Sequence, residues 1–104
     1  MDVSALVFLA TVTMYAIGCD VHPGSRTAGG PLPVVNFTVA ADPRVLPIGS
    51  IIRIEGFPHT YLVHDKGGKV KGRHVDVFVS SCSEARKWGK RKRAVRVLHR
   101  PADR

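Results

Sequence analysis

The chain has 104 residues, 44% hydrophobic and 23% charged, which suits one small globular domain and excludes a disordered chain. Ten glycines, seven prolines and many valines and isoleucines favour short strands and turns over long helices. The net charge of +8 is concentrated: residues 1–85 hold seven basic and seven acidic side chains, so the whole excess lies from Arg86 to Arg104. Such a block suits a polyanionic partner (nucleic acid, an anionic lipid surface or an anionic wall polymer), or equally a solvated edge strand or tail.

From the N-terminus, the uncharged run VSALVFLATVTMYAIGC (3–19) is shorter than a membrane span and holds Ser4, Thr11 and Thr13. It lacks the basic start of a signal peptide, although AIGC resembles a lipoprotein cleavage box. Residues 1–10 are therefore a targeting segment or the beginning of a first strand, Leu6 to Ile17, with the domain over 11–99 and a basic tail at 100–104. GCDVHPGSRTAGGPLP reads as a loop, VNFTVAAD as a second strand ending at Asp42, and PRVLPIGS as a turn. SIIRIEG alternates, with Ile52 and Ile54 on one face and Arg53 and Glu55 on the other. HTYLVHD ends at Asp65, KGGKVKG turns the chain, and HVDVFVS returns as a strand. SCSEARKWG is the one helical candidate, capped by Ser81 or Ser83 and stopped by Gly89; AVRVLH closes the domain. About six short strands and one short helix predict a small all-β barrel.

The chemistry-bearing candidates are Asp42, Asp65 and Asp76, each near a strand end. A turn role, with the carboxylate bonding nearby amides, accounts for any one of them. Asp76 differs because it lies inside HVDVFV, where an acid costs stability unless it is paired, bonded or at a cleft. A turn at Gly67–Gly68 folds the chain back and brings Asp65 and Asp76 together. Carboxylates sharing a cleft raise one another's pKa, so one holds a proton near neutral pH and serves as a general acid, the chemistry of glycosidic cleavage. His64 and His74 flank the acids but match no metal-binding spacing, and KGGKVKG is not a phosphate-binding P-loop. No metal or cofactor is expected. Cys19 and Cys82 are either one disulfide or two thiols; without a CxxC they do not suggest zinc.

VAADPRVLPIGSIIRIEGF, YLVHDKGGKVKGRHVDVFV and SEARKWGKRKRAVRVL together resemble the three-aspartate, or 3D, domain family over about Thr11 to Leu98. The shared pattern is A-D-P…P-x-G, D-x-G-G-x-[IV]-K-G, a following [IV]-D, and E-A…W-G, with TVTMY similar to the family's opening strand and TAGG to its T-x-G loop. The family is similar to the catalytic barrel of membrane-bound lytic transglycosylase A type enzymes, and also occurs in stationary-phase cell-wall enzymes and phage proteins. The resemblance implies a six-stranded double-psi β-barrel acting on peptidoglycan. The bond cut is that between N-acetylmuramic acid and N-acetylglucosamine, leaving a 1,6-anhydro sugar. It assigns the acid/base role to Asp76, tuning and charge stabilisation to Asp65, and a cleft wall to Asp42. It places Thr13, Tyr15, Gly68 and Lys71 along the sugar groove, Lys71 being equally suited to a structural ion pair. The implied partners are peptidoglycan glycan strands and, through the basic run, anionic wall polymers. The implied location is outside the cytoplasm, reached by secretion or phage delivery. A non-catalytic glycan-binding module is the alternative; nucleic acid is disfavoured because no basic–aromatic interleaving occurs. The sequence departs from the family at Lys66, usually threonine, and at Lys69, often small. A cation at 66 lowers nearby carboxyl pKa values if it faces them and does nothing if it points outward.

Overall fold

A computed structural model describes residues 6–101. Six strands, β1 (Val7–Tyr15), β2 (Thr38–Ala41), β3 (Ile51–Ile54), β4 (Thr60–Asp65), β5 (His74–Phe78) and β6 (Arg91–His99), form a closed barrel with one helix, α1 (Cys82–Trp88). The order around the barrel is β1-β5-β2-β4-β3-β6. The pairs β1–β5 and β2–β4 are parallel and the others antiparallel, which fits the double-psi arrangement implied by the resemblance.

The period-two alternation of side chains builds the interior. Val12, Val39, Ile52, Val63, Val75, Val77, Val95 and Val97 are almost completely buried and pack as one cluster. Each such side chain stabilises the fold by roughly 1.5–3 kcal/mol relative to exposure. The intervening residues face out of the barrel, among them Thr13 and Tyr15 on β1 and His74, Asp76 and Phe78 on β5.

Three expectations change. The second strand begins at Thr38, because Asn36 sits at φ 65° and the Val34 carbonyl turns the chain by accepting from the Phe37 and Thr38 amides. The last strand starts at Arg91, so the basic run is neither an edge nor a tail at that point. Arg91, Lys92 and Arg93 pair with Val12, Thr11 and Ala10 of β1, and the Arg91 and Arg93 guanidiniums stack on Trp88 at 4.3 and 5.1 Å. Third, β4 and β5 are not a hairpin, because β2 lies between them and residues 66–73 must cross it. At the N-terminus, Val7–Ala10 belong to β1; residues 1–5 of the proposed targeting segment and 102–104 of the tail lie outside the described residues.

The helix follows its sequence signals. Ser81 Oγ accepts from the Glu84 amide at 3.1 Å, and Gly89 ends the helix at φ 66°. Trp88 Nε1 donates to the Val12 carbonyl at 2.8 Å, tying α1 to β1.

Candidate active site

The register positions the acids. Ala40, in the middle of β2, is the cross-strand partner of Asp65 on one side and of Asp76 on the other. Two strand spacings put their Cα atoms about 10 Å apart, with a methyl group as the floor between them. The connections 16–37 and 66–73 both reach this spot. The resulting groove, about 270 Å³, is lined by Tyr15, Asp20, Ala40, Asp65, the stretch Lys66 to Val70, and Asp76, among others.

Asp76 is half-buried, and loss of solvation pushes its pKa up to about 6; the charges of Asp20 and Asp65 push the same way. The Thr13 hydroxyl, 2.8 Å from Asp76 Oδ1, is a donor acting in the opposite direction. Asp65 is held differently. Its Oδ1 accepts from the amides of Lys66 and Ala28, both at 2.9 Å, so the TAGG loop clasps the end of β4. Gly29 makes that clasp possible: its amide donates to the His64 carbonyl at 2.8 Å, and a Cβ there would stand 2.9 Å from the same oxygen.

Asp42 is not in the groove. It is buried, and its carboxylate accepts from the Arg44 side chain, the Arg44 amide and the Gly72 amide. The Arg44 guanidinium first, then the two amides, holds it well below the usual carboxylate range. Its place is behind the wall, fixing connection 66–73 from the far end.

Of the expected sugar-contact residues, Tyr15 and Gly68 line the groove, and Thr13 reaches it through Asp76. Lys71 is exposed and outside it. The Tyr15 hydroxyl is buried without a hydrogen-bond partner among the described residues, and burial pushes its pKa up. A Cβ on Gly68 meets nothing within 4 Å, so the fold does not demand glycine there. Lys66 lines the groove but is exposed; among the described residues the one ion pair within 4 Å is Arg44–Asp42, so Lys66 closes on neither acid.

Sequence reasoning passed over Asp20, and weighed His74 only as a metal ligand. Asp20 is carried to the groove by connection 16–37, which a Cys19–Cys82 disulfide ties to the start of α1 across 63 residues, resolving the open question about the cysteines. The signal was present as an acid next to a cysteine, but its partner lay too far along the chain to be read. His74 sits two residues before Asp76 on the same outward face. Among the described residues no group of three metal-ligating side chains occurs.

A family model described as the 3D domain matches residues 37–99. The Bacillus subtilis (strain 168) protein named cell wall-binding protein YocH is 43% identical over 61 residues, covering 59% of this chain and 21% of that protein. The putative cell wall shaping protein YabE of the same organism is 31% identical over 101 residues, covering 95% of this chain and 23% of that protein. The chain thus spans under a quarter of the length of either relative. Among solved structures, E. coli MltA with bound chitohexaose superposes with TM-score 0.60 at 20% identity, over 75% of this chain and 28% of that one. The lytic transglycosylase LtgG of Burkholderia pseudomallei superposes with TM-score 0.54 at 20% identity, over 71% and 25%. At these identities the likeness is one of fold.

Proposed function

The chain belongs to the 3D domain family, and on that footing we propose that it is a peptidoglycan lytic transglycosylase. The observation that carries this reading is Asp76: a half-buried carboxyl inside a strand, opening on a groove shared with Asp65, with its pKa raised to about 6. Such a group is protonated in a useful fraction near neutral pH and ionised in the rest, as an acid that must later act as a base requires.

In the proposed reaction the Asp76 carboxylic acid gives its proton to the glycosidic oxygen. The bond from that oxygen to the anomeric carbon of N-acetylmuramic acid breaks, and the oxygen leaves with the electron pair as the free hydroxyl of the N-acetylglucosamine side. The Asp65 carboxylate, fixed by two amides, stabilises the positive charge on the sugar. The muramic C6 hydroxyl then attacks the anomeric carbon, and the Asp76 carboxylate takes its proton. The product is a 1,6-anhydro sugar, no water is consumed, and Asp76 is protonated again. The nucleophile belongs to the substrate, so proximity supplies much of the rate. Tyr15, with its unpartnered hydroxyl, suits a sugar hydroxyl or acetamido carbonyl.

The relative named as cell wall-binding favours a second reading, a glycan-binding module on the same barrel without catalysis. Both readings place the domain outside the cytoplasm, in agreement with a disulfide. In both, the outward basic side chains of β3 and β6 hold it on anionic wall polymers.

Incubation with purified peptidoglycan and mass spectrometry of the products separates the two. The enzyme reading expects anhydro-muropeptides from the wild type and a loss of at least about 100-fold in Asp76→Ala and Asp76→Asn, the usual contribution of a general acid. Binding without any anhydro product supports the module; full cleavage by both variants removes Asp76 from the acid role.

A further inference from the structure

Thr13 and Asp76 are register partners on the parallel β1–β5 pair, and Thr11 is the partner of His74. The Thr13 hydroxyl stands 2.8 Å from Asp76 Oδ1 and 2.7 Å from His74 Nε2. A hydroxyl has one hydrogen, so when it donates to one of these neighbours it accepts from the other. The Lys69 main chain favours the charged form of the His74 ring. With Nε2 turned to Thr13, Nδ1 is the second nitrogen that carries hydrogen in that form.

These constraints leave few arrangements. An ionised Asp76 only accepts, so Thr13 donates to it and His74 Nε2 must carry hydrogen. The ring is then an imidazolium or the Nε2–H tautomer. A protonated Asp76 with its hydrogen on Oδ1 donates to Thr13, whose own hydrogen turns to a bare Nε2; with the hydrogen on Oδ2, free for the glycosidic oxygen, Oδ1 accepts from Thr13 as in the ionised state. Imidazolium with carboxylate, and imidazole with carboxylic acid, hold the same number of protons. They interconvert when the Nε2 proton passes to Thr13 Oγ1 and the hydroxyl hydrogen passes from Oγ1 to Asp76 Oδ1.

We propose that His74 is a positioning residue for Asp76: through the Thr13 hydroxyl the two share a proton, and the ring sets the direction of the hydrogen bond to the carboxyl. The proposal rests on Asp76 being acid and then base. The network accommodates both states without moving a side chain. The titratable and charged groups that share the groove with Asp76 are Tyr15 from β1, Asp20 from connection 16–37, Asp65 from β4, and Lys66 and Lys69 from connection 66–73. Lys90, before β6, acts on the ring. Burial raises the Asp76 midpoint and lowers that of His74, with Lys90 adding to the latter, so the two approach each other. Groups coupled in this way titrate as a pair.

The test is a pH titration of the intact protein by NMR, following the His74 ring nitrogens and the Asp76 carboxyl carbon together. In the wild type and in Thr13→Ser both nuclei are expected to report the same two midpoints. In Thr13→Val, and for Asp76 in His74→Phe, a single midpoint is expected, displaced by about half a unit or more, the size of one neutral hydrogen bond. Separate single midpoints in the wild type, or shared midpoints that persist in Thr13→Val, overturn the proposal. Neither result depends on catalysis, so the sharing is decided even if no anhydro product forms. Where product does form, His74→Phe is expected to shift the alkaline limb of the kcat profile by about half a unit with KM within about twofold. An unchanged profile removes the positioning role.

Discussion

Placing Asp76 inside β5 raises its pKa, and the sign of that shift bears on stability. An acid easier to ionise in the unfolded chain (about 3.9) than in the fold (about 6) leaves stability untouched below pH 4. Above that the unfolded state loses its proton first, and the destabilisation grows until pH passes 6. Asp76→Asn removes the ionisation, so it is expected to stabilise the protein by about 1–3 kcal/mol at pH 7.5 and by almost nothing at pH 4. Thermal melts at the two pH values check this, and equal effects at both mean that the carboxyl is not strained by burial. Asp76 was legible in the sequence because an acid stands out in HVDVFV. His74 was not, since its link to Asp76 runs through Thr13, 61 residues away from it. Asp42 and Asp65 looked alike as strand-end acids. Only their partners separate them: the Arg44 guanidinium and amide and the distant Gly72 amide for Asp42, two amides for Asp65.

Connection 66–73 is the element on which the groove depends. It supplies Lys66 to Val70 to the wall, and it is anchored at its end by the Gly72 amide on Asp42 Oδ2 at 2.8 Å, where Gly72 adopts φ 69°. Because Asp42 is held below the usual carboxylate range, its contribution is complete above about pH 4 and is lost only as pH falls through its lowered folded value. Asp42→Ala is therefore expected to speed hydrogen exchange at the Gly72 amide by about 10-fold or more at pH 6, while the Val75 amide inside β5 stays protected. Equal protection of Gly72 in variant and wild type means that the connection is held by something else. The strands themselves were legible from alternation, SIIRIEG and HTYLVHD most clearly. Their order was not. A Gly-Gly turn between two strands reads locally as a hairpin, and nothing within KGGKVKG records that β2 takes the place between them. Arg91–Arg93 enter a strand despite their charge because β1 and β3 both need β6 to close the barrel.

At the scale of the molecule, two faces of the barrel carry different charge patterns. Asp20, Asp65 and Asp76 gather at the groove. On the β3–β6 face a second concavity, about 310 Å³, includes Arg53, Glu55 and Arg96 in its lining. Arg53 and Arg96 are directly opposite each other across the strands, an unfavourable pairing of like charges in water. Glu55 Oε1 accepts from the Ala94 amide, and among the described residues no carboxylate lies within 4 Å of either guanidinium. An anionic polymer laid across this face relieves the repulsion, and two exposed ion pairs at about 0.5 kcal/mol each amount to roughly fivefold in affinity. Sedimentation with cell walls at low and high salt measures it. Binding to walls bearing anionic polymers is expected to weaken with salt. The Arg53→Gln/Arg96→Gln double variant is expected to lose roughly fivefold at low salt and little at high salt. Cleavage of short uncharged-chain glycan fragments should be unchanged in that variant, because neither arginine lines the groove of Asp76. Equal binding by wild type and variant at low salt shows that the β3–β6 face does not hold the wall, and turns the search for the anchor to the groove of Asp76.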